Sequence, residues 1–346
     1  MNSQNPPASG GGDSRPTLDV VALGNALVDV LASAEDATLG ALDLVKGTMV
    51  IVDHQRAESI YAAMGPTTEA SGGSAANTAA GVAALGGRVA FLGRVADDQL
   101  GRAFTHDIRT VGVAFDPTPA PVGDSSGTGH CLVLVTDDAE RTMATHLGVA
   151  SDFGPVDLHA GHLASAQVVY LEGYLWEQPS AKAAMRQAID MAHAGDAAVA
   201  LTVSDPFCVE HHRDEFLQLV NEELEMLFAN EEEIMSLFGT DTFDEAVEAV
   251  ADTGVLAVLT RGAAGSVVVA ASGPVVVPAA PVDRVVDTTG AGDLFAAGFL
   301  YGITNGLSPE ESARLGSVCA AEVISHVGAR PLADLRELAV AAGLFS

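Results

Sequence analysis

A run of small residues followed by an aspartate offers the clearest chemistry in the sequence. Residues 287–293 are DTTGAGD and lie between a strand-like run and an alanine-rich, helix-like run. At a helix start, the N–H groups of Gly290, Ala291 and Gly292 would attract a phosphate without any lysine. Asp293, in the first helical turn, could accept the proton of an attacking hydroxyl. For an isolated segment, a tight turn with Asp293 as a helix cap is the simpler interpretation, so other segments must decide.

Two further segments carry groups that could bind a hydroxylated ligand. In GGSAANTA, residues 72–79, the glycines let the backbone approach a ligand closely, and Asn77 offers a donor and an acceptor to a vicinal diol. In GNALVD, residues 24–29, Asp29 lies just past a strand end and could accept hydrogen bonds from two sugar hydroxyls. The alternatives are a glycine-rich helix entry with a buried asparagine and a solvated turn aspartate.

Charge and lysine content argue against several classes of protein. The 346 residues contain 16 Lys and Arg against 46 Asp and Glu, a formal net charge of -30, which repels the phosphate backbone of nucleic acids. The only lysines are Lys46 and Lys182, and neither lies in a G-x-x-x-x-G-K-[ST] or V-A-I-K context. A P-loop NTPase and a protein kinase are therefore excluded. If the protein uses ATP, backbone amides, a metal and arginine must hold the phosphates.

Composition also predicts the compartment and the character of the chain ends. The hydrophobic fraction of 48% is typical of a folded protein, and the three cysteines are widely spaced and odd in number, which suits the reducing cytoplasm. Residues 1–16 have neither a basic nor an apolar region, so we expect a flexible polar tail and not a signal peptide. No apolar run approaches the ~20 residues of a membrane span.

The elements that must position these groups alternate along the second half of the chain. Strand-like runs such as AQVVYLEG alternate with helix-like runs such as SAKAAMRQAIDMAHAG. This alternation predicts an α/β fold with a mostly parallel sheet, helices on both faces, and a ligand crevice at the carboxyl ends of the strands. Segments of about residues 27–53 and 123–149 look β-only, and we assign them to a small β-sheet lid within a domain spanning residues 17–346. Helices are expected at 213–221 and 309–327.

Taken together, these segments resemble the PfkB, or ribokinase-like, family of carbohydrate and nucleoside kinases. DTTGAGDLFAAGFL resembles the C-terminal signature of the family and GGSAANTA its N-terminal signature, and the resemblance spans about residues 19–327. GNALVD is more similar to the adenosine kinase-like branch. The resemblance implies a ribokinase-like fold and ATP- and Mg²⁺-dependent phosphorylation of a nucleoside 5′-hydroxyl, with adenosine first. Another nucleoside (inosine, guanosine or cytidine), a free sugar (ribose or fructose), or a non-catalytic ligand-binding relative are the alternatives.

The resemblance also implies roles for the residues around the acceptor hydroxyl. Asp293 would be the base, and the amides of residues 290–292 would hold the transferring phosphoryl group. The residues expected to bind the substrate are Asn25, Asp29, Gly72, Gly73 and Asn77. A small-molecule substrate and ATP are thus the expected partners, and the expected oligomeric state is a monomer or a homodimer.

Other matching positions would form the nucleotide side. Asn230 and Glu233 match the N-x-x-E motif of the family, which organises Mg²⁺ and phosphates through water. The alternative is that the glutamates of residues 231–233 form a solvated helix start. The residues expected to contact ATP are Thr260, Gly262, Gly265 and Ser325. Ser325 lies in residues 323–329, a segment that resembles the wall of the adenine pocket and whose neighbouring carbonyls would bind K⁺.

Arg141 is the candidate for a mobile cation. It lies in the segment ERTMATHLG of the expected lid, and closure could bring it onto the phosphates. An ion pair with Glu140 or Asp138 is an equally good interpretation from the sequence.

Overall fold

The computed structural model describes residues 18–121, 126–138 and 140–345, and the predicted tail of residues 1–16 lies outside them. The strands are β1 (Leu18–Leu23), β2 (Leu27–Ser33), β3 (Met49–Ile51), β4 (Thr68–Gly72), β5 (Val89–Leu92), β6 (Gly129–Val135), β7 (Arg141–His146), β8 (Ala166–Glu172), β9 (Ala198–Thr202), β10 (Met226–Asn230), β11 (Leu256–Thr260), β12 (Ser266–Ala270) and β13 (Gly273–Val277). The helices are α1 (Asp36–Ala41), α2 (His54–Ala63), α3 (Ser74–Ala84), α4 (Gln99–Thr110), α5 (Ala160–Leu163), α6 (Pro179–Ala194), α7 (Pro206–Glu222), α8 (Glu231–Phe238), α9 (Phe243–Ala251), α10 (Ala291–Thr304), α11 (Pro309–Val323) and α12 (Leu335–Ala341).

Eight strands form a large sheet in the order β13-β12-β11-β10-β9-β8-β1-β5. The strands from β5 to β11 in this sheet are parallel, and β12 and β13 are antiparallel at one edge. Continuous apolar runs such as VVAL in β1 suit strands that are covered on both faces. One core contains Trp176 and Phe216, and another contains Phe91 and Phe299. The predicted α/β architecture with a mostly parallel sheet is confirmed.

Five strands form a second, smaller sheet in the order β3-β7-β6-β2-β4. Because successive side chains of a strand point to opposite faces, the sheet has two different surfaces. One face packs on α1 and α2 through a cluster that includes Val30, Leu132 and Ile60. Asp29 and Cys131 pair directly in the β2–β6 register at intervening positions, so they lie on the opposite face.

The second sheet differs from the predicted lid segments in two respects. The segment 27–53 is not β-only, because α1 lies between β2 and β3. The sheet also includes β4, which lies beyond the predicted boundary and pairs antiparallel with β2. The sequence of β4, TEASG, has few β-branched residues, so pairing with β2 and not local propensity makes it a strand. The strand pair predicted around residues 130–146 is confirmed as antiparallel β6 and β7.

Two helix boundaries also differ from the expectations. α7 begins at Pro206, earlier than residue 213, because Asp205 caps it by accepting a hydrogen bond from the Cys208 amide. α11 ends at Val323, before residue 327, and the chain then passes through Gly328 with φ of 105°. The residues after α11 are therefore a loop that returns toward the start of α10.

Other expectations from composition concern membranes and thiols. Within residues 18–121, 126–138 and 140–345, every helix is too short or too polar to cross a bilayer. Cys131, Cys208 and Cys319 are buried free thiols.

Small residues let three helices approach one another closely. A Cβ atom placed on Gly298 of α10 would lie 2.7 Å from Gly316 Cα of α11. A Cβ atom on Gly81 of α3 would lie 2.6 Å from the Cβ of Ala297. Non-bonded carbon atoms essentially never lie this close to each other, so glycine is required at both helix crossings. The close packing brings the first turn of α10 against the first turn of α3.

We predict that Gly298→Ala lowers the free energy of unfolding by ~1–3 kcal/mol, because the added methyl group overpacks the α10–α11 crossing. The matched control is Gly40→Ala in α1, where a Cβ atom would meet nothing within 4 Å. There the helix propensity of alanine should raise stability by ~0.5–1 kcal/mol. Urea unfolding of the three proteins measures both changes, and equal midpoints for all three would contradict the packing constraint.

Candidate active site

The Gly-Ala-Gly turn forms the start of α10. Gly290 is the N-cap with φ of 77°, and a Cβ atom there would lie 2.7 Å from the Cβ of Ala329, so only glycine fits. The amides of a first helical turn lack acceptors within the helix. The Ala291 amide donates to Thr288 O at 3.2 Å, whereas a Cβ atom on Gly292 would meet nothing within 4 Å. The helix start therefore has open space beside Gly292.

The carboxylate of Asp293 is held by side chains of α3. Ser74 Oγ donates to Asp293 Oδ1 at 2.7 Å, and Asn77 Nδ2 donates to Oδ2 at 2.9 Å. Thr78 Oγ1 donates to the main-chain oxygen of Asp293 at 3.1 Å. Burial raises the pKa of Asp293, and the hydrogen bonds from Ser74 and Asn77 oppose this rise. The two signature segments thus meet at one carboxylate.

Ser74 and Thr78 were not predicted as site residues. They share one helix face with Asn77, because residues three and four positions apart in a helix are neighbours. This spacing, S-x-x-N-T, is the signal in the sequence that could have identified them.

Asp29 lies on the face of the second sheet opposite α1 and α2. A Cβ atom on Gly72 would lie 2.5 Å from Asp29 Oδ2, so the missing side chain leaves room for the carboxylate. Burial raises the pKa of Asp29 to about 6, although Arg330 and Arg141 act to lower it. Gly73 has φ of 94°, and a Cβ atom there would lie 2.2 Å from Asn25 O. Both glycines of the GGSAANTA segment are therefore required by close contacts.

Asn25 and Ala75 are joined by Glu172, which was not predicted. The main-chain and side-chain amides of Asn25 donate to Glu172 Oε1 at 3.3 and 2.9 Å, and the Ala75 amide donates to Oε2 at 2.9 Å. Burial raises the pKa of Glu172 to about 7. The Glu172 carboxylate therefore joins the turn after β1 to the start of α3, and the side-chain amide of Asn25 is used in this contact. The position of Glu172 at the carboxyl end of a predicted strand was the available signal.

Arg141 forms an ion pair with Asp287 and not with the predicted alternatives Glu140 or Asp138. Only 12% of the Arg141 side chain and 4% of the Asp287 side chain are exposed. Asp287 also accepts hydrogen bonds from the amides of Thr289 at 3.0 Å and Gly328 at 2.8 Å. The pair ties the second sheet to the loop in front of α10.

A cavity of about 580 Å³ borders the Gly-Ala-Gly turn. Three residues predicted to contact ATP line it, together with two residues of the turn and a largely apolar wall. The lining residues are Thr260, Gly262, Ala263, Gly265, Ala279, Ala280, Val282, Val285, Thr288, Ala291, Gly292, Phe295, Ser317, Ala320, Ala321 and Ile324. Ser325 is outside this lining, and its hydroxyl donates to Glu322 O at 2.7 Å.

Asn230 and Glu233 form a reciprocal cap at the start of α8. Asn230 N and Nδ2 donate to Glu233 Oε2 and Oε1 at 2.9 and 2.6 Å, and the Glu233 amide donates to Asn230 Oδ1 at 2.9 Å. Burial raises the pKa of Glu233 to about 7. Among the described residues, no three acidic, histidine or cysteine side chains are grouped to hold a metal. With few protein ligands at hand, Asn230 and Glu233 fit a Mg²⁺ ion that is bound mainly through phosphates and water, as that ion prefers.

Comparisons with known proteins agree with this site. Residues 44–335 match the pfkB family carbohydrate kinase. The chain is 31% identical over 335 residues to the adenosine kinase of Saccharomyces cerevisiae, covering 90% of this chain and 96% of the yeast protein.

Two solved structures are similar over almost their whole length. The adenosine kinase from Sinorhizobium meliloti has 47% identity and a TM-score of 0.89, covering 94% of this chain and 99% of that one. A probable sugar kinase from Rhizobium etli CFN 42 has 45% identity and a TM-score of 0.90, covering 95% and 99%. With both signature segments meeting at one carboxylate, these matches show that the chain belongs to the pfkB family of carbohydrate kinases.

Proposed function

We propose that the protein transfers the γ-phosphoryl group of ATP to the 5′-hydroxyl of adenosine, giving AMP and ADP. The observation that carries this proposal is the Asp293 carboxylate, held by Ser74 and Asn77 in the first turn of α10. That turn also borders the 580 Å³ cavity. Asp293 therefore lies where an acceptor hydroxyl and the end of a triphosphate would meet. The names of the yeast and S. meliloti relatives support adenosine as the acceptor.

In the proposed reaction, the 5′-oxygen of adenosine forms a bond to the γ-phosphorus. The bond between that phosphorus and the β–γ bridging oxygen breaks, and ADP leaves. The hydroxyl proton passes to the Asp293 carboxylate as the new bond forms. The first-turn amides and the dipole of α10 would stabilise the charge that develops on the phosphoryl group.

ATP would lie in the cavity, with its phosphates toward the Gly-Ala-Gly turn. Thr260, Gly262 and Gly265 would contact the nucleotide, and apolar residues such as Phe295 and Ile324 would pack on its base. Mg²⁺ would neutralise phosphate charge, held by the phosphates and by water near Asn230 and Glu233. A K⁺ site at the carbonyls of residues 323–329 and a nucleotide contact from Ser325 remain predictions.

The second sheet would serve as the lid over the acceptor. Asp29 would accept hydrogen bonds from the ribose hydroxyls, with Gly72, Gly73 and Asn77 nearby. The side-chain amide of Asn77 donates to Asp293 and carries a second hydrogen that could serve a ribose hydroxyl. Arg141 reaches across to Asp287 beside the Gly-Ala-Gly turn, which supports a role at the phosphates when the lid is closed.

The proposed setting is the cytoplasm. Three buried free thiols suit a reducing compartment. The proposed partners are nucleoside and ATP, with the chain acting as a monomer or a homodimer.

The first test is ADP production with ATP, Mg²⁺ and K⁺ across adenosine, inosine, guanosine, cytidine, ribose and fructose. We expect adenosine to give the highest kcat/KM. A response confined to a free sugar would replace the nucleoside assignment and keep the mechanism. Binding of a ligand without any turnover would favour a non-catalytic relative.

The same assay with Asp293→Asn tests the base. We expect turnover to fall by ~10²–10⁴-fold, because the variant cannot accept the proton. Calorimetric titration should show nearly unchanged adenosine affinity, since the side chain keeps its size. Equal turnover in the variant and the natural protein would contradict the assignment.

Asp29→Ala should weaken adenosine binding by ~1–3 kcal/mol, because ribose hydroxyls lose a charged acceptor. The matched control is Asp190→Ala, an exposed position on α6. Calorimetry with adenosine and, separately, with ATP measures the change. An identical adenosine affinity in both variants would remove Asp29 from the acceptor site.

A further inference from the structure

Arg330 is a half-buried cation that the proposed reaction does not use. It follows α11 in the loop of residues 324–334, and its Nε donates to Asn77 Oδ1 at 2.9 Å. Its Nη2 is buried and has no hydrogen-bond partner in the part of the chain that the structure describes. A buried guanidinium is costly unless nearby carboxylates compensate its charge. Its place beside the acceptor site therefore calls for an explanation.

The bond from Arg330 determines how the Asn77 side chain is turned. Asn77 is 4% exposed, and its Oδ1 and Nδ2 face two different partners. Oδ1 accepts from Arg330, and Nδ2 donates to Asp293 Oδ2 at 2.9 Å. A guanidinium only donates and a carboxylate only accepts, so the reversed amide would place like groups against each other at both ends. Arg330 and Asp293 therefore allow a single orientation of Asn77.

The loop that carries Arg330 is fixed to the Gly-Ala-Gly turn at two points. The amide of Gly328 donates to Asp287 Oδ2 at 2.8 Å. Ala329 packs against Gly290, where even a Cβ atom would clash at 2.7 Å. The guanidinium is thereby held at a set position relative to the first turn of α10.

Carboxylates surround Arg330 on three elements. Asp29 of β2, Asp107 of α4 and Asp293 of α10 each attract its charge. Burial is the dominant influence and lowers the pKa of Arg330 to about 10, so the side chain stays charged at neutral pH. The nearby charge also favours the ionised form of Asp29 and Asp293.

We propose that Arg330 is a positioning residue for phosphoryl transfer: its guanidinium fixes the Asn77 amide, which in turn holds the Asp293 carboxylate toward the acceptor hydroxyl. This inference rests on the proposed function. Arg330 does not touch the reacting atoms. It acts through Asn77 and through its charge.

Titratable and charged groups lie on the elements packed around Asp293, so a pH test must take them into account. α3 contributes only neutral side chains at this contact, Ser74 and Asn77. The titratable or charged groups on the surrounding elements are Asp29 of β2, Arg141 of β7, Tyr170 and Glu172 of β8, Asp287 of the preceding loop, Cys319 and Glu322 of α11, and Arg330. A substitution at residue 330 leaves these side chains in place, but it also removes a charge that lowers the pKa of Asp29, so the pH profile is read together with a direct measurement on Asp293.

The experiment compares Arg330→Gln, which removes the charge, with Arg330→Lys, which keeps it. For Arg330→Gln we expect kcat to fall by ~10–10²-fold, as for a misplaced catalytic group, with the KM for ATP unchanged. The acidic limb of the pH profile of kcat should move up by about one pH unit, because loss of a neighbouring cation raises a carboxyl pKa. Arg330→Lys should restore the position of that limb.

Arg102→Gln is the matched control, because Arg102 is an exposed residue of α4 that pairs with Asp97, just before the helix. Its kcat and pH profile should equal those of the natural protein. The inference is overturned if the acidic limb of the kcat profile does not move in Arg330→Gln. It is also overturned if the Lys and Gln variants lose kcat equally and have their acidic limbs at the same pH. If Arg330→Gln does not fold, Arg330→Lys alone decides. A lower kcat with an unmoved acidic limb supports the inference, because lysine keeps the charge but lacks the Nε bond to Asn77. A kcat equal to that of the natural protein contradicts it, because the Nε bond is then not needed.

A second readout does not depend on the acceptor. In protein labelled with ¹³C at the aspartate carboxyl groups, the Asp293 resonance is the one that Asp293→Asn lacks, and its titration midpoint should be higher in Arg330→Gln. If the midpoint moves while no adenosine is phosphorylated, the proposed function fails and the placement of Arg330 beside the carboxylate stands. If adenosine is phosphorylated and neither midpoint nor acidic limb moves, the inference fails and the function stands.

Discussion

The hydrogen bonds from Ser74 and Asn77 to the carboxylate of Asp293 are the interaction on which the rest of the site depends. They join residues that are 219 and 216 positions apart in the chain. For these bonds to form, the first turns of α3 and α10 must lie side by side. The small residues Gly81, Ala297 and Gly298 permit that approach, and the large sheet carries the connecting strands. The packing of three helices thus sets the position of the two carboxylate oxygens of Asp293.

The fold and the centre of the site could be predicted from the sequence because their signals are local. Strand and helix periodicities gave the α/β architecture, and the small-residue turn before Asp293 indicated an anion site. The contact between the two signature segments was implied by a family resemblance. It could not be derived from spacing within either segment.

The parts that were missed depend on long-range contacts. Glu172 and Arg330 are single charged residues in unremarkable local sequence, and each has its meaning only through partners far along the chain. The partner of Arg141 was misjudged for the same reason, since Glu140 and Asp138 are neighbours in sequence whereas Asp287 is a neighbour in space. β4 was missed because pairing with β2, and not its own composition, makes it a strand.

The glycine contacts of α10 also limit how this protein can change over evolutionary time. Where a single methyl group already clashes, as at Gly298 and Gly290, the chain has almost no tolerated substitutions. The second sheet is different, because β3 and the residues around it expose side chains such as Val50 and Ile51. The exposed surface of β3 can therefore change at little cost to folding, while the helices that hold the carboxylate stay unchanged.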